Sequence, residues 1–540
     1  MKVLTAAEMG AADARSVAAG VSMGELMDAA GEAVARFCLR QYPEAAHVLV
    51  VCGKGNNGGD GFRAAQVLAG EGVGVRVLLV GRQVDVTGEA GESLRKLVEA
   101  TDEGIVAELA GDAAVEELVE LFGEADLILD AVVGTGFKPP LRGAAVVVRD
   151  ALARVNVPVV AVDLPSGWDA DSLDEKVDGA FRADAVVTFT APKMAHVFGH
   201  LAEAVFGPVV VAGIGSPEDA VLSAAGLGWT GSAKTLTERP RKINSNKGRF
   251  GHVLVVGGSY GTGGAPGMAA LAALRGGAGL VTAAVPRELV GQVGMLAPEL
   301  MVRGLDVDSS GSAAVSNLGR LEELLAGVKV IAIGPGLSTR GEASGFARRL
   351  VAATSLPIVI DADGLNAFGG ADVAELDGAG RTMVLTPHPG EMARLVGMTV
   401  AEVESDRVGI ARRFAVAHQV TLVLKGWRTL VAHPDGRVAV NTSGNPALAK
   451  GGSGDILTGI VAAMLAQFPD DVAEAVEAAV YLHGLAADFA AHAMDERTVL
   501  ATDVVGCLSD GFRYRTVDED GLTWICGLRQ AKAPSGLMLG

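Results

Sequence analysis

Two consecutive α/β domains, each built on a largely parallel sheet, are what this sequence predicts, and three observations predict them. At 540 residues the chain exceeds what one hydrophobic core serves, so two or more domains are expected. Apolar residues make up 49% of it but aromatics only 4%, a balance that suits strands buried on both faces by closely packed helices. Short apolar runs alternate with helical stretches in two successive series.

In the first series, strands are expected at 47–52, 75–80, 127–130, 157–162, 185–189 and 209–212, with a helix at about 60–69 after a glycine loop. Residues 213–248 are rich in turn and charged residues and read as a join between domains. The second series has strands at 253–256, 328–333, 357–360, 382–385 and 420–424, and helices at 268–275 and 456–468. A hairpin across Pro434-Asp435-Gly436 makes its sheet mixed at one edge. From Arg513 onward no clear period remains, and an extension or tail is expected.

The net charge of −19 argues against nucleic acid as a partner. Cys38, Cys52, Cys507 and Cys526 form no CxxC pair, so a reduced, cytoplasmic setting is expected. The first residues lack the pattern of a signal peptide, and no apolar run reaches the length of a membrane span.

The run NTSGNPALAKGGSGD at 441–455 leads straight into an apolar helix. Glycines before a helix start free several N–H groups to point at one spot, and the helix dipole makes that spot favour an anion. A carboxylate there, Asp455, is a poor choice for binding phosphate. It is a sensible one for taking a proton from a hydroxyl that attacks phosphorus. Other strand ends of this half carry GGSYGTGGAP (257–266), GPGL (334–337), DADGLN (361–366), TPHPGE (386–391) and KGWRT (425–429), which together outline a long cleft. In the first half, GKGNNGGDG (53–61), DAVVGTG (130–136) and DLPSG (163–167) end three strands. The first is neither GxGxxG nor a P-loop. Asn57, Asp130 and Ser166 offer only oxygen ligands, which favours an alkali or alkaline-earth ion over zinc.

These N-terminal motifs, with Ala191-Pro192-Lys193, resemble the epimerase domain of the NAD(P)H-hydrate repair enzymes. The resemblance implies a Rossmann-like doubly wound domain at 1–218 and a potassium ion (K+) at Asn57, Asp130 and Ser166. It implies hydrate contacts at Asn56, Asn57, Gly58, Gly59 and Asp60, at Gly134, Thr135, Gly136, Phe137, Lys138, Pro139 and Pro140, and at Asp163. Asp163 is the candidate acid–base for inverting the hydrated carbon, by loss of hydroxide to an iminium and return of water. Ring opening is the alternative route.

The C-terminal motifs resemble the ADP/ATP-dependent NAD(P)H-hydrate dehydratases, which implies a ribokinase-like α/β domain at 226–512 and leaves 513–540 as a C-terminal extension. Implied hydrate contacts are Ala265, Gly336, His388 and Asp455. Implied nucleotide contacts are Lys425, Gly426, Trp427, Arg428, Thr429 and Gly454. The expected partners are hydrated NADH or NADPH and ADP with Mg2+, the chain a homo-oligomer. Asp455 would draw the proton from the hydrate hydroxyl as it attacks ADP; phosphate then leaves and AMP and NAD(P)H result. A small-alcohol kinase would share GGSGD but release a stable phosphate ester. A binding-only N-terminal domain would not need Asp163.

Overall fold

The computed structural model describes residues 1–101, 104–109 and 114–529. It divides into two compact units, Met1–Leu227 with Arg515–Gly540, and Gly228–Tyr514. Among the described residues the strands, in chain order, are β1 (His47–Cys52), β2 (Gly74–Leu79), β3 (Val106–Glu108), β4 (Leu127–Ala131), β5 (Val159–Val162), β6 (Ala185–Phe189) and β7 (Val209–Ala212). Next come β8 (Leu227–Trp229), β9 (His252–Val256), β10 (Leu280–Pro286), β11 (Met301–Leu305), β12 (Val330–Ile333), β13 (Ile358–Ile360) and β14 (Met383–Leu385). The series closes with β15 (Thr421–Leu424), β16 (Leu430–Ala432), β17 (Val438–Val440) and β18 (Thr523–Cys526).

The first sheet runs β18-β7-β6-β5-β4-β1-β2-β3. Without β18 this is the doubly wound order, with its reversal point between β1 and β4. Alternate residues of β1 feed two cores: Val48, Val50 and Cys52 pack on one side, Leu49 and Val51 on the other. This two-sided burial is why the strand reads as an unbroken apolar run. The second sheet runs β11-β10-β9-β12-β13-β14-β15-β16-β17-β8, and β15, β16 and β17 pair antiparallel as the hairpin signal predicts. Its core joins Val253, Val255, Ala332, Val359, Val384 and Val423 to the helices Gly264–Arg275 and Ser453–Gln467.

The strands β3, β8, β10 and β11 have no counterpart among those expected, although β10 is a buried strand between β9 and β11, and two further segments differ from expectation. Within 213–248, read as a join, Trp229 is 2% exposed and its Nε1 donates to Thr442 Oγ1 at 2.7 Å. The fully buried Lys234 donates to the carbonyls of Phe512 and Tyr514, both at 3.1 Å. Lys234 thus caps main-chain carbonyls, whereas most of the polar residues at 239–249 are exposed. The segment expected as an extension supplies β18, antiparallel to β7 with Trp524 opposite Val210. Trp524 is buried, tilts against Phe37 at 6.4 Å and donates to Asp518 at 2.9 Å. Residues 530–540, also in that segment, lie outside the described residues. Trp524→Ala is expected to destabilise the first unit by about 3–5 kcal/mol, read as an earlier transition in urea denaturation. Cutting the chain between Pro217 and Ser232 would part β7 from its neighbour β18. No helix among the described residues is long and apolar enough to cross a membrane.

Candidate functional site

In the first unit, the loops after β1, β4 and β5 meet at the reversal point, where an open parallel sheet leaves a crevice. The helix Asn56–Gly70 starts directly after the β1 loop, so NNGGD forms its first turn. Gly58 must be glycine: a Cβ there would stand 2.0 Å from the Gly53 carbonyl oxygen. The crevice is a cavity of about 730 Å³. Of the residues implied as contacts, Asn56, Asn57, Asp60, Gly134, Thr135, Gly136, Phe137, Lys138 and Asp163 line it. Gly58, Gly59, Pro139 and Pro140 are not among its lining.

Asp163 follows β5 with φ 67°, a left-handed backbone that aims its side chain back over the sheet edge. Its Oδ1 accepts from Lys193 Nζ and Thr188 Oγ1, both at 2.8 Å. Its Oδ2 accepts from the Thr135 amide at 2.7 Å and the Thr135 hydroxyl at 2.6 Å. Burial alone would raise this carboxyl, but Lys193, His196 and the hydrogen bonds outweigh it and hold it well below the usual carboxylate range. His196 takes the Lys193 amide on Nδ1 and pairs Nε2 with the Asp163 carbonyl at 2.7 Å, so its Nε2 carries the proton. Burial, with Lys193 adding, pushes that ring down to about 4. A carboxylate with four donors and an ion pair is a weak base, and the geometry suits it to holding Lys193 and Thr135. By contrast Asp60 is raised well above its ordinary value by burial, with Asp163 and Asp13 adding, and Asp13 is raised mainly by burial.

Sequence reading assigned no role to Asp13 or Lys193. Asp13 sits on the helix Ala6–Ala18, which a Thr5–Glu8 capping box opens, and it lines the first cavity. Lys193 lies 30 residues beyond Asp163, and only the fold pairs them.

Asp130 and Ser166 lie beneath the cavity, fully buried. Asp130 Oδ1 accepts from Ser166 Oγ at 2.6 Å and Oδ2 from the Ser166 amide at 2.7 Å. Burial pushes Asp130 up to about 6, hydrogen bonds from Ser166 and Val132 oppose it, and no cationic side chain of the described residues does. A buried carboxylate short of positive charge, next to a hydroxyl, fits a hard cation in donor type. Asn57 lines the cavity, its Nδ2 buried without a hydrogen-bond partner among the described residues.

In the second unit, the loops after β13, β14 and β15 and the start of the helix Ser453–Gln467 surround a cavity of about 650 Å³. His388, Lys425, Gly426, Trp427, Arg428, Thr429, Gly454 and Asp455 line it. Ala265 and Gly336 do not; Ala265 is in the first turn of the helix Gly264–Arg275 and Gly336 on the loop after β12, and Thr262 Oγ1 donates to the Gly336 carbonyl at 2.7 Å. His388 caps the helix Pro389–Val396, its Nδ1 accepting from the Gly390 amide at 3.0 Å.

Lys425 Nζ donates to Asp361 Oδ1 at 2.8 Å and lies 3.9 Å from Glu391. Thr458 Oγ1 holds the other Asp361 oxygen at 2.7 Å. A Cβ at Gly454 would stand 3.3 Å from Lys425 Nζ, so the lysine lies against the glycine loop. Burial opposes the charge on Lys425, yet Asp361 and Glu391 keep it above its usual value. Arg407 donates to the carbonyls of Lys425 at 3.3 Å and of Trp427, bracing the KGWRT turn. Asp455 faces the same space. Burial, with Asp361 adding and Lys425 opposing, raises it to about 7. A carboxylate tuned to neutral pH beside a cation and a helix N-terminus can take a proton from a hydroxyl and hand charge to an anion. Asp361, Glu391 and Arg407 carry no role in the motif reading, because their partners are distant in sequence.

A family model described as NAD(P)H-hydrate dehydratase matches residues 253–509, and one described as YjeF-related protein N-terminus matches residues 23–195. The bifunctional NAD(P)H-hydrate repair enzyme of Moorella thermoacetica is 39% identical over 535 residues, covering 96% of this chain and 98% of that one. The chain belongs to the bifunctional NAD(P)H-hydrate repair enzyme family. The Escherichia coli member of the family is 35% identical over 503 residues, covering 91% of this chain and 89% of its own length. Among solved structures, an ADP/ATP-dependent NAD(P)H-hydrate dehydratase from Bacillus subtilis, co-crystallised with ATP/Mg2+, is 30% identical. It covers 53% of this chain and 97% of its own, with TM-score 0.44.

Proposed function

We propose that this chain repairs hydrated NADH and NADPH, its first site interconverting the R and S hydrates and its second dehydrating the S form with ADP, releasing AMP and phosphate. The observation that carries the second half is Asp455, raised to about 7 at the first turn of a helix behind a glycine loop and facing Lys425. Hydroxide leaves poorly and phosphate leaves well. Asp455 takes the proton of the hydrate hydroxyl as its oxygen bonds to the terminal phosphorus of ADP, and the bond to AMP breaks. Main-chain N–H groups of the glycine loop and the Lys425 ammonium hold the charge that grows on phosphorus. Phosphate then departs with the push of the ring nitrogen, and loss of a proton from the neighbouring carbon restores the dihydropyridine. Magnesium bound with the nucleotide would supply further positive charge.

In the first site, Asp163 holds Lys193 Nζ, which also bonds Thr188 Oγ1 and the Phe189 carbonyl, at the cavity wall, and the charge of Asp163 steadies the iminium that forms. Asp60 is placed to exchange the proton of the returning water. Asp130 and Ser166, with Asn57, would hold a potassium ion, which would supply positive charge to the site. A cytoplasmic setting, supported by four free cysteines, and a homo-oligomeric state belong to the same reading.

The test is to incubate the full chain with mixed hydrate epimers and either ADP or ATP, and to follow the absorbance of reduced nicotinamide. Complete conversion of both epimers is expected, with equimolar phosphate. Conversion of half the mixture would remove the epimerase, and a stable phosphate ester would mark a kinase instead. Gly454→Ala would press on Lys425 Nζ, whose flexible stem can give way. Its nucleotide affinity is expected to fall about tenfold, ~1.4 kcal/mol, by isothermal titration calorimetry.

A further inference from the structure

The loop that follows β17 forms one wall of the second cavity through Asn441, Ser443, Gly444 and Asn445. On one side it is tied to the KGWRT turn. The Asn441 amide donates to the Thr429 carbonyl at 2.9 Å, and Arg428 Nη1 donates to the Thr442 carbonyl at 2.8 Å. On its other side it lies on the helix Val472–Ala493. Tyr481, Gly484 and Asp488 are spaced three and four residues apart, so they share one face of that helix. Ser443 Oγ donates to the Tyr481 carbonyl at 2.8 Å. A Cβ at Gly484 would stand 2.3 Å from Ser443 Oγ and 2.6 Å from its carbonyl oxygen, so glycine lets the loop lie directly on the helix.

Asp488 completes that contact. It is 9% exposed and is not among the residues that line the cavity. Its Oδ2 accepts from the Gly444 amide at 3.0 Å, and its Oδ1 accepts from Asn445 Nδ2 at 2.9 Å. Asn445 Oδ1 in turn accepts from the Ala447 amide at 3.0 Å. One carboxylate thus fixes two successive loop residues, the first by its main chain and the second by its side chain. Gly444 has φ 102°, a backbone that only glycine adopts freely, so this turn has more freedom to lose than its neighbours. Burying a carboxylate is costly, and apolar side chains would hold a helix against a loop equally well. What the carboxylate adds is direction: its two oxygens and their two donors fit one placement of the turn.

We propose that Asp488 is a positioning residue for nucleotide binding: through Gly444 and Asn445 it fixes the loop that holds Arg428 and Thr429 at the cavity. This rests on the nucleotide reading of the second site, and the experiment separates the two. ADP is titrated by calorimetry into the full chain, into Asp488→Asn and into the exchanged pair Asp488→Asn with Asn445→Asp, with urea denaturation of each to verify folding. The single change keeps one acceptor and turns an amide N–H toward the other donor, which breaks one hydrogen bond. In the exchanged pair the amide at 488 accepts from Gly444 and donates to the carboxylate at 445, which still accepts from Ala447, so every bond is kept. Asp488→Asn is expected to weaken ADP binding about tenfold, and the exchanged pair to recover most of that. The rate at saturating ADP should stay within about twofold in both, because Asp455 and Lys425 are untouched. Val476→Ala, a fully buried position on the same helix, should lower stability and leave ADP affinity as it is. Native affinity in a folded Asp488→Asn would overturn the proposal and leave the nucleotide reading intact. A loss that the exchange does not repair, or an equal loss in Val476→Ala, would do the same. Should Asp488→Asn fail to fold, Asn445→Ala takes its place, with ADP expected to bind about threefold more weakly; native affinity there would overturn the proposal. No binding of ADP by the native chain would remove both readings.

Discussion

Asp455→Asn lowers nucleotide-dependent hydrate conversion by a factor of about 10²–10⁴, the range that a positioned base supplies, and leaves the fold intact. Asparagine keeps the shape and polarity of the side chain but cannot take a proton. In the native chain the carboxyl is raised to about 7, so kcat is expected to fall roughly tenfold per pH unit below that value as the base form is lost. The stability effect has the opposite sign. Between its ordinary value of 3.8 and about 7, the folded chain keeps this proton while the unfolded chain releases it. Stability therefore drains away as pH rises through that window and stays reduced above it. Asparagine removes the loss. The variant should be more stable than the native chain at pH 8 by about 1–2 kcal/mol, after allowing for screening by water in the open cavity. The gap should close near pH 4. Full activity in the variant would reduce the GGSGD segment to a binding loop.

Lys193→Met is expected to stop epimer exchange and to destabilise the first unit. Lys193 and Asp163 side chains are 2% and 9% exposed, so removing one partner strands a buried charge. The cost of such a break is about 3–5 kcal/mol. Asp163→Leu combined with Lys193→Met should recover much of that stability, since neither charge is then buried alone, yet exchange should remain lost. Exchange is read by NMR of the hydrate epimers, and conversion of pure S hydrate with ADP should continue in every variant that keeps the second unit folded. Exchange at the native rate in the double variant would show that the pair serves stability only.

The sites were legible in sequence to the extent that their chemistry is local. The glycine loops, Asp455 and the KGWRT segment each sit at a strand end, where sequence order and spatial position coincide. Pairings across strands were not legible. Lys425 with Asp361 and Lys193 with Asp163 become neighbours only when separate strands align, and Asp13 with Asp60 only when two helices pack. Edge strands were missed for a related reason. β11 buries little, with only Leu305 of Met301–Leu305 fully buried, so it carries no apolar run to find. β18 follows a polar stretch, and its one strong signal, Trp524, has meaning only once β7 is beside it.

From sequence alone came the α/β class, the alternation that makes both sheets mainly parallel, and the anion-binding loop before the helix Ser453–Gln467, because period, glycine placement and helix dipoles act over a few residues. Tertiary structure decided the charge state of the working groups. Asp163 and Asp455 are both aspartates at strand ends or helix starts, yet one is held far below its usual range and the other lifted to about 7. Burial raises both. Lys193 and its companions overcome that at Asp163, whereas at Asp455 the neighbouring Asp361 adds to it and Lys425, already engaged by Asp361, offsets it only in part.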